Sequence, residues 1–576
     1  MPDEMRRAAE YFDRGAIDEA EDLCRKAIRD VPGHLGGHVL LGRILQVKGH
    51  VDAAQDEFQL AVKADPTLVD AWLYWAKLLQ AYGHPQKAEA CLRLALYYVP
   101  NAFPIQNDLA IILLALGKVA EAERHLERAL EIYPQSEVAL CNLGIVLQHQ
   151  GRVAEAIAAY RRAIAINPSR PEPHSNLGDV LKERDLKAAE GCFEMALILR
   201  PDYPEALDSL GVIYFLNGRL ENALDKFDRA LAISPEFHRA LAHKTTTLFM
   251  LGHLKDAWKN YRHRFVVAGT KVPPHERFPI PAWNGEPLVG KSLLIWTELG
   301  LGEEILQASM FHDALAVASR LTVECSPRLL TLFQRSFPGA LFIPRTNPAR
   351  ASTVPVEADY QIAGGDLGAA FRNDIDAFPR HAGYLVPDVK RVEALRKKYR
   401  KTPEDLVVGI SWASKKSIFN TTKTLALSEL SPIFQQPGIV FVNLQYDSSP
   451  DEIAEIQSSL GVEIVCDETV DLSGDVDVAA AQVAAMDLII SVSNTAVHIA
   501  GALNVPVWNI IPSFNASGLW HWFYESDESP WYPSMKIYRR KNQENRDLTE
   551  RIATDLKTFR ESNLRDREYQ GFPDSM

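Results

Sequence analysis

The stretch Leu207-Asp-Ser-Leu-Gly-Val-Ile-Tyr214, followed by Ala223-Leu-Asp-Lys-Phe227, is the fullest copy of a pattern that fills the first half of the chain. The alanine of its second part recurs every 34 residues, with one step of 33, at Ala20, Ala54, Ala88, Ala122, Ala156, Ala189, Ala223 and Ala257. In the first seven units another alanine follows seven residues later, so two small side chains share one helix face and admit a close neighbouring helix. The eighth unit has Arg264 at that place. The period predicts a stack of helical hairpins.

Two further series mark where the predicted helices end. A glycine, which adopts the positive φ of a helix C-cap, recurs at Gly15, Gly49, Gly83, Gly117, Gly151, Gly218 and Gly252. A proline, which cannot continue a helix, recurs at Pro32, Pro66, Pro100, Pro134, Pro168, Pro201 and Pro235. The three coincident series resemble those of the tetratricopeptide repeat family. The resemblance implies an α-helical superhelix over residues 1–268.

Composition and charge narrow the class of protein. Of the 576 residues, 47% are hydrophobic and 24% charged, which is typical of a globular chain. A formal net charge of −13 argues against nucleic acid or an anionic membrane as a general partner. The six cysteines are scattered without a CxxC pair, which favours reduced thiols in the cytoplasm over a zinc or redox site. No apolar stretch reaches the ~20 residues that cross a bilayer, so we expect a cytoplasmic protein without membrane insertion.

The second half of the sequence has a different pattern. Five prolines between Lys271 and Pro287 forbid a continuous helix there, and we expect a linker at residues 269–288. Short β-branched runs then alternate with helical segments, which is typical of parallel sheets. The predicted strands cover residues 293–297, 321–325, 341–343, 407–411, 439–444, 463–465, 488–492 and 505–510. We expect two doubly wound α/β domains, at 289–390 and 391–560, and a flexible tail at 561–576. A ligand is expected in the cleft between the domains, beyond the carboxyl ends of the strands.

The first candidate loop is Gly300-Leu-Gly-Glu-Glu304, between a predicted strand and a predicted helix. Its glycines permit a tight turn and a close approach of a ligand to the backbone. Glu303 and Glu304 fall on the first helical turn, where the helix dipole favours carboxylates. Two interpretations stay open: both acids stabilise the helix, or Glu303 is a general base at the cleft.

The second candidate loop follows the predicted strand that ends at Ser411. It contains Lys415, Lys416 and Lys423 among several serines and threonines, and such cations and hydroxyls suit a diphosphate. Surface lysines are the simpler interpretation for Lys415 and Lys416. For Lys423 we favour binding, since a helix is predicted to begin shortly after it.

The third candidate loop runs from Ser491 to His498. Ser493, Asn494 and Thr495 are residues that cap a helix, and the same helix N-terminus offers free N–H groups to an anion. Simple capping explains the residues as well as ligand binding does. His498 falls on the first turn, where it would reach a phosphate, although a lone helical histidine is more often packed.

Five segments together resemble glycosyltransferases of the two-domain GT-B fold that carry tetratricopeptide repeats: Gly300-Leu-Gly-Glu-Glu-Ile-Leu-Gln, Gly409-Ile-Ser-Trp412, Leu444-Gln445, Ser491 to His498, and Ser529-Pro-Trp-Tyr-Pro533. Such proteins are similar to heptosyltransferases and, more distantly, to protein O-GlcNAc transferases, and some glycosylate flagellin. The resemblance implies two Rossmann-like domains, the first on the acceptor side and the second binding a nucleotide sugar. It implies sugar transfer to a protein without a metal or a cofactor, the nucleotide sugar being a substrate.

The resemblance also implies roles for individual residues. Lys423 matches the family's donor-phosphate lysine, and Ser493, Asn494, Thr495 and His498 match its donor loop. Glu303 stands where heptosyltransferases have an aspartate base, and Ser493 where they usually have another aspartate. Two Asp-x-Asp matches begin at Asp374 and Asp475; we place the first in a loop and the second at a helix cap, and we expect no metal.

The repeats are expected to select the acceptor. Asp108, Asn142, Asn176 and Ser209 occupy one register in the first helices of successive units. Polar side chains in such a row bind an extended peptide through its backbone, and protein O-GlcNAc transferases use a similar asparagine series. A merely solvated face is the alternative.

Two other functions are also compatible with the sequence. One is a repeat scaffold whose α/β half no longer catalyses, and the other is an adaptor that grips peptide tails. The aromatic residues between Phe514 and Tyr532 are expected mainly to join the two α/β domains. The segment Asp547 to Phe559 is predicted to be a closing helix.

Overall fold

The computed structural model describes residues 3–267, 278–298, 300–345, 357–414, 424–471, 474–511, 519–539 and 545–570. The chain divides into two compact units, residues 1–213 and residues 214–576. None of the described helices combines the length and the apolar character needed to span a bilayer.

Paired helices form the repeat region, as the sequence predicts. In the first unit they are Asp3–Asp13, Ile17–Asp30, Leu35–Val47, Val51–Ala64, Val69–Ala81, Pro85–Tyr98, Phe103–Ala115, Val119–Ile132, Glu137–His149, Val153–Ile166, Pro171–Leu181, Leu186–Leu199 and Pro204–Leu216, the last crossing into the second unit. The pattern continues with Leu220–Ile233, His238–Met250 and Leu254–Asn260. The periodic glycines have φ between 74° and 81°, and the first alanine of every unit is fully buried. Both periodic series therefore have the structural roles expected of them.

In several repeats, close contact between the two helices depends on a glycine in the first helix. A Cβ added to Gly144 would lie 2.5 Å from the ring of Tyr160, and one added to Gly42 would lie 2.6 Å from the ring of Phe58. Both rings are fully buried. Each aromatic ring of the second helix thus fills the space that the missing side chain leaves.

Gly144→Ala is expected to lower the free energy of unfolding by about 1–2 kcal/mol. The steric cost of the added methyl group is about 1–3 kcal/mol, which exceeds the gain of about 1 kcal/mol from the higher helix propensity of alanine. Thermal unfolding followed by circular dichroism measures the effect. Gly191→Ala is the matched control, since Gly191 is also helical and a Cβ there meets nothing within 4 Å. The control should leave the Tm unchanged or raise it. An unchanged Tm for Gly144→Ala would contradict this account of the packing.

Two parallel sheets form the centre of the second unit. The strands of the first are β1 Ser292–Trp296, β2 Arg320–Cys325, β3 Ala340–Pro344 and β4 Tyr360–Ala363, in the order β3-β2-β1-β4. Those of the second are β5 Leu406–Ser411, β6 Ile439–Asn443, β7 Ile464–Val465, β8 Leu488–Val492, β9 Val507–Ile511 and β10 Met535–Arg539, in the order β10-β9-β8-β5-β6-β7. Counted from β5, this is the 3-2-1-4-5-6 order of doubly wound sheets. The α/β class expected for this half is therefore present.

Helices cover the sheets. They are Arg264–Val267, Leu301–Ala308, Phe311–Val317, Leu330–Ser336, Leu367–Phe371, Val389–Tyr399, Ser431–Phe434, Pro450–Leu460, Val476–Ala484, Thr495–Ala502 and Asn545–Gln570, with 3₁₀ turns at Tyr261–His263, Pro327–Leu329, Gly364–Asp366, Ile375–Ala377, Leu427–Leu430 and Trp520–Trp522. Along β5, Leu406, Val408 and Ile410 pack into one core cluster, whereas Val407 packs into another. The second sheet is therefore buried on both faces, as parallel sheets require.

The structure corrects three details of the sequence interpretation. The strands β4 and β10 were not among the predicted ones. The closing helix runs from Asn545 to Gln570 rather than ending at Phe559, so the segment predicted to be a flexible tail is helical through Gln570. It continues because Phe559 packs beside Trp508, and Nε of Arg560 donates to the Gly438 carbonyl at 3.1 Å. Residues 571–576 lie outside the described part.

The compact division falls after Ile213, whereas the sequence places the end of the solenoid at residue 268. The last repeat helices belong to the second unit because they pack against it. Phe249 stacks on Trp520 with ring centroids 4.2 Å apart, and the indole of Trp258 donates to the Arg372 carbonyl at 2.8 Å. The aromatic residues between Phe514 and Tyr532 are expected mainly to join the two α/β domains, whereas Trp520 stacks on a residue of a repeat helix.

Arg264, which interrupts the alanine series, also belongs to this junction. Its guanidinium donates to Glu298 at 2.7 Å and to Asp366 at 2.5 Å. These carboxylates follow β1 and β4, so the arginine joins the end of the repeats to two neighbouring strand ends. Burial raises the pKa of Glu298, and the charge of Arg264 opposes that shift.

Candidate functional site

A cleft of about 590 Å³ opens at the carboxyl ends of both sheets. Its walls come from the loops after β1, β2, β5, β6 and β8, which supply residues 300–303, 328, 414, 444, 446–447 and 493–496. The rest of the lining comes from the helices Val476–Ala484 and Thr495–Ala502 and from the segment near His521. The volume is in the range of small-molecule sites, and the location is where doubly wound sheets bind ligands.

Two helix N-termini open into this cleft and touch each other. The helix Leu301–Ala308 follows β1, and the helix Thr495–Ala502 follows β8. A Cβ on Gly302 would lie 2.7 Å from Cδ2 of His498, so the imidazole packs directly against the glycine backbone. The first and third candidate loops, which are almost 200 residues apart in the sequence, thus form one site.

The two adjacent glutamates of the first loop have different environments. Glu303 is exposed and lines the cleft, and its carboxylate makes no hydrogen bond or ion pair within the described part of the chain. A Cβ on Gly300 would lie 2.9 Å from its Oε2, so the glycine leaves room for the carboxylate. Glu304 is fully buried. Only Glu303 is therefore available to a ligand in the cleft.

Glu304 instead fixes the ends of three strands. Its Oε1 accepts from Arg345 at 2.6 Å, and its Oε2 accepts from the backbone N–H of Ser326 at 2.9 Å. Arg345 also donates to the Thr297 carbonyl at 2.8 Å. Thr297, Ser326 and Arg345 follow β1, β2 and β3. Burial raises the pKa of Glu304, while the charge of Arg345 opposes that shift.

The loop after β8 is held by its own side chains. Oδ1 of Asn494 accepts from the Ala496 N–H at 3.0 Å, which is an N-cap, and its Nδ2 donates to the Ser411 hydroxyl at 2.7 Å. Trp522 donates to the Ser493 hydroxyl at 2.8 Å. Thr495 lines the cleft without a side-chain hydrogen bond among the described residues. The capping interpretation is right for Asn494, and the helix N-terminus it supports still faces the cleft.

His498 is 5% exposed and is part of a hydrogen-bond chain between the two helices. Its Nδ1 lies 3.0 Å from the hydroxyl of Tyr532. Tyr532 is hydrogen-bonded to Tyr384, whose hydroxyl donates to the Ile305 carbonyl at 2.7 Å. Burial raises the pKa of both tyrosines, which keeps them neutral. His498 therefore both borders the cleft and holds its two walls together.

Gln445 is a site-forming residue whose role the sequence did not reveal. Its Oε1 accepts from the Ser411 hydroxyl at 2.8 Å and from the backbone N–H groups of Trp412, at 3.2 Å, and Ala413, at 2.9 Å. The amide thereby fixes the chain where it leaves β5. The available signal was its place at the end of the predicted strand 439–444, within the Leu444-Gln445 pair.

The aromatic segment after Leu519 forms a further wall. Trp522 stacks on His498, with an angle of 27° between the ring planes. Arg539, at the end of β10, donates to the carbonyls of Trp522, at 2.7 Å, and of Phe523. Burial lowers the pKa of Arg539 to about 10. Among the described residues, this half-buried cation donates to backbone carbonyls, which hold the wall in place.

The other predicted residues of the α/β half fall into two groups. Lys415, Lys416 and Lys423 are outside the described residues. Asp374 caps the 3₁₀ turn Ile375–Ala377, and Asp475 caps the helix Val476–Ala484. These two aspartates serve as caps in the structure.

The predicted peptide-binding residues lie along the first helices of the repeats. Nδ2 of Asn142 donates to Oδ1 of Asn107 at 2.8 Å, and Nδ2 of Asn176 donates to the sulfur of Cys141 at 3.2 Å. Both contacts span 35 residues, so they join equivalent helices of neighbouring repeats.

The other two members of this row differ from each other in exposure. Asp108 is half-buried and lies 3.5 Å from Nζ of Lys77. Ser209 is only 3% exposed, and its hydroxyl donates to Asp179 at 3.2 Å. Three members of the row, but not Ser209, thus present part of their side chains at the surface.

The neighbouring glutamates give a matched test of the site's construction. Glu304→Gln is expected to lower the free energy of unfolding by about 3 kcal/mol, because it leaves the half-buried Arg345 without its counter-charge. Glu303→Gln, one residue away on the same helix and exposed, should leave stability within about 0.5 kcal/mol of the parent. Chemical denaturation of both variants measures the difference. Equal stabilities would show that the buried ion pair is not structural.

The comparison with protein families agrees with the repeat fold. The tetratricopeptide repeat family matches residues 101–169 and, with a second description of the same repeat, residues 179–236. The repeats support a role in protein interaction. The α/β half lies outside both matches.

Comparison with individual proteins gives a partial likeness. The chain is 35% identical over 298 residues to Protein FlbA of Caulobacter vibrioides, covering 49% of each chain, so it spans about half the length of that relative. Among solved structures, a tetratricopeptide repeat protein from Parabacteroides merdae is 17% identical over 42% of this chain and 97% of its own, with a TM-score of 0.37. Yeast Tom70 is 14% identical over 43% of this chain and 54% of its own, with a TM-score of 0.36. With TM-scores below 0.5, neither structure bears on function.

Proposed function

We propose that this protein is a glycosyltransferase that moves a sugar from a nucleotide-sugar donor to a protein recruited by its repeats. The observation that carries the proposal is the shared cleft, in which exposed Glu303 and the helix N-terminus at Thr495 line one space. A base and an anion-binding terminus in one cavity are what transfer from a diphosphate needs. The proposal includes a GT-B arrangement of the two parallel sheets.

The donor would bind mainly to the second sheet. Its diphosphate would accept hydrogen bonds from the first turn of the helix Thr495–Ala502, whose dipole favours an anion. The hydroxyl of Thr495 and, as predicted from the sequence, the ammonium group of Lys423 would donate further hydrogen bonds to it. The volume of about 590 Å³ is consistent with a ligand of this size.

The chemical step would use Glu303 as the base. An acceptor hydroxyl would give its proton to the Glu303 carboxylate while its oxygen forms a bond to the anomeric carbon. The bond from that carbon to the phosphate oxygen breaks, and the nucleoside diphosphate leaves with the electron pair. The growing negative charge on the leaving group is stabilised by the helix N-terminus and by cations, without a metal.

The acceptor would be a protein held by the repeats. The half-buried amides of Asn142 and Asn176 are already aligned along equivalent helices, and the repeats support protein interaction. Flagellin is a candidate acceptor through the family resemblance alone. The reaction would take place in the cytoplasm, where the six free cysteines would stay reduced.

Donor binding is the first test of the enzyme. In a thermal-shift screen against UDP, GDP, CMP and ADP, we expect one nucleotide to raise the Tm, because a ligand at 100 times its Kd stabilises the fold by about 2.7 kcal/mol. The shift should be absent from residues 1–213 tested in the same way. If none of the four nucleotides stabilises the full chain, the repeat scaffold with an inactive α/β half becomes the better interpretation.

Transfer itself is tested with two variants and the donor so identified. Glu303→Gln should still bind the nucleotide but lose about 10²–10⁴-fold in turnover, the usual contribution of a general base. Lys423→Ala should slow transfer far more than it disturbs folding. Transfer of radiolabelled sugar to protein in a lysate of the native organism measures both. Unchanged turnover in Glu303→Gln would remove Glu303 from the mechanism.

A further inference from the structure

Among the described residues that line the cleft, Arg328 is the one arginine or lysine. The acidic side chains of the lining are Glu303 and Asp447. A chain with a net charge of −13 thus places a permanently charged guanidinium in the lining of a cleft that two carboxylates also line. This cation was not singled out in the sequence.

Within the described residues, one hydrogen bond holds Arg328 in place and its other donors have no partner. It belongs to the 3₁₀ turn Pro327–Leu329, directly after β2, and it is half-buried. Its Nε donates to the Gly474 carbonyl at 2.7 Å, across 146 residues of sequence. A guanidinium has five N–H donors, and no other hydrogen bond of Arg328 occurs within the described part of the chain.

Another part of the lining of the same cleft is also suited to an anion. The helix Thr495–Ala502 begins there, and the hydroxyl of Thr495 has no hydrogen-bond partner among the described residues. Diphosphates are bound by such a terminus together with the planar fork of an arginine, which pairs with two phosphate oxygens at once. The negative charge of Glu303 would repel a diphosphate in the same cleft, so a positive charge there is needed to balance it.

We propose that Arg328 is a binding residue for the diphosphate of the donor, held ready by its bond to Gly474. This inference rests on the proposed function. It adds a contact to the donor's phosphates from the side of the first sheet. Arg328 would neutralise charge in the ground state and, more strongly, on the departing diphosphate.

A structural role is the competing explanation, and the chain offers a matched control for it. Arg335 lies on the next helix, Leu330–Ser336, and makes a two-pronged ion pair with Asp477, at 2.6 and 2.7 Å. Arg335 thus contacts the first turn of the helix Val476–Ala484, and Arg328 contacts the segment just before it, but Arg335 does not line the cleft. A residue that only joins these segments should behave like Arg335.

The test is isothermal titration of the full-length protein with UDP, GDP, ADP and inorganic pyrophosphate. For Arg328→Met we expect a 10–100-fold higher Kd for pyrophosphate and for the nucleoside diphosphate that binds. The Kd of the corresponding nucleoside without phosphate should be unchanged. Arg328→Lys should lie between the two, because it keeps the charge but loses the fork. Arg335→Met should lower the Tm and leave every Kd within about twofold of the parent.

The outcomes distinguish the role of Arg328 from the proposed sugar transfer. Unchanged affinities in Arg328→Met, or an equal loss in Arg335→Met, would overturn the role of Arg328 and leave the proposed transfer intact. Binding that depends on Arg328 without any transfer of sugar would support the anion site and overturn the glycosyltransferase. If the parent protein binds neither pyrophosphate nor any of the nucleotides, both proposals fall.

Discussion

The contact between Gly302 and His498 is the constraint on which the cleft depends. With no side chain at Gly302, the helix Leu301–Ala308 approaches the imidazole so closely that a Cβ would lie within 2.7 Å of it. The hydrogen-bond chain from His498 through Tyr532 and Tyr384 to Ile305 joins the same two helices. A larger residue at position 302 would separate the helices and break this chain. The two sheets would then present two shallow edges instead of one enclosed site.

Neighbouring residues of one type have opposite roles at this site, and the sequence cannot distinguish them. Glu303 and Glu304 fall on the same first turn, where any carboxylate is favoured by the helix dipole. Which one faces the core is decided by Arg345, a residue that follows a different strand and pairs with Glu304. That pairing fixes the rotation of the helix about its axis. The exposure of Glu303 is therefore a consequence of the burial of Glu304.

The parts that sequence could predict are those governed by local periodicity. The alanine and glycine series place the repeats because each has one recurring role, which is full burial for the first alanine and positive φ for the glycine. The strand β8 was predicted to the residue because Leu488 to Val492 is buried on both faces. The strand β4 was missed because it is short, with four residues that follow a segment without a strand pattern. The roles of Gln445 and Arg328 depend on partners far away in sequence, so no local pattern indicates them. Lys423 stays a prediction, since it lies outside the described residues.

The break in the alanine series at Arg264 follows from what lies beside the last repeat. In each earlier unit the second alanine faces another helix, and a small side chain lets that helix approach. The eighth unit meets the edge of the first sheet instead, where Glu298 and Asp366 follow β1 and β4. A long cation bridges that gap and neutralises the two carboxylates, which an alanine cannot do. Phe249 and Trp258 of the same unit contact Trp520, and Tyr524 donates its backbone N–H to the Met250 carbonyl at 3.0 Å. The final hairpin thus packs against the segment that carries His521 and Trp522, two residues of the wall of the cleft.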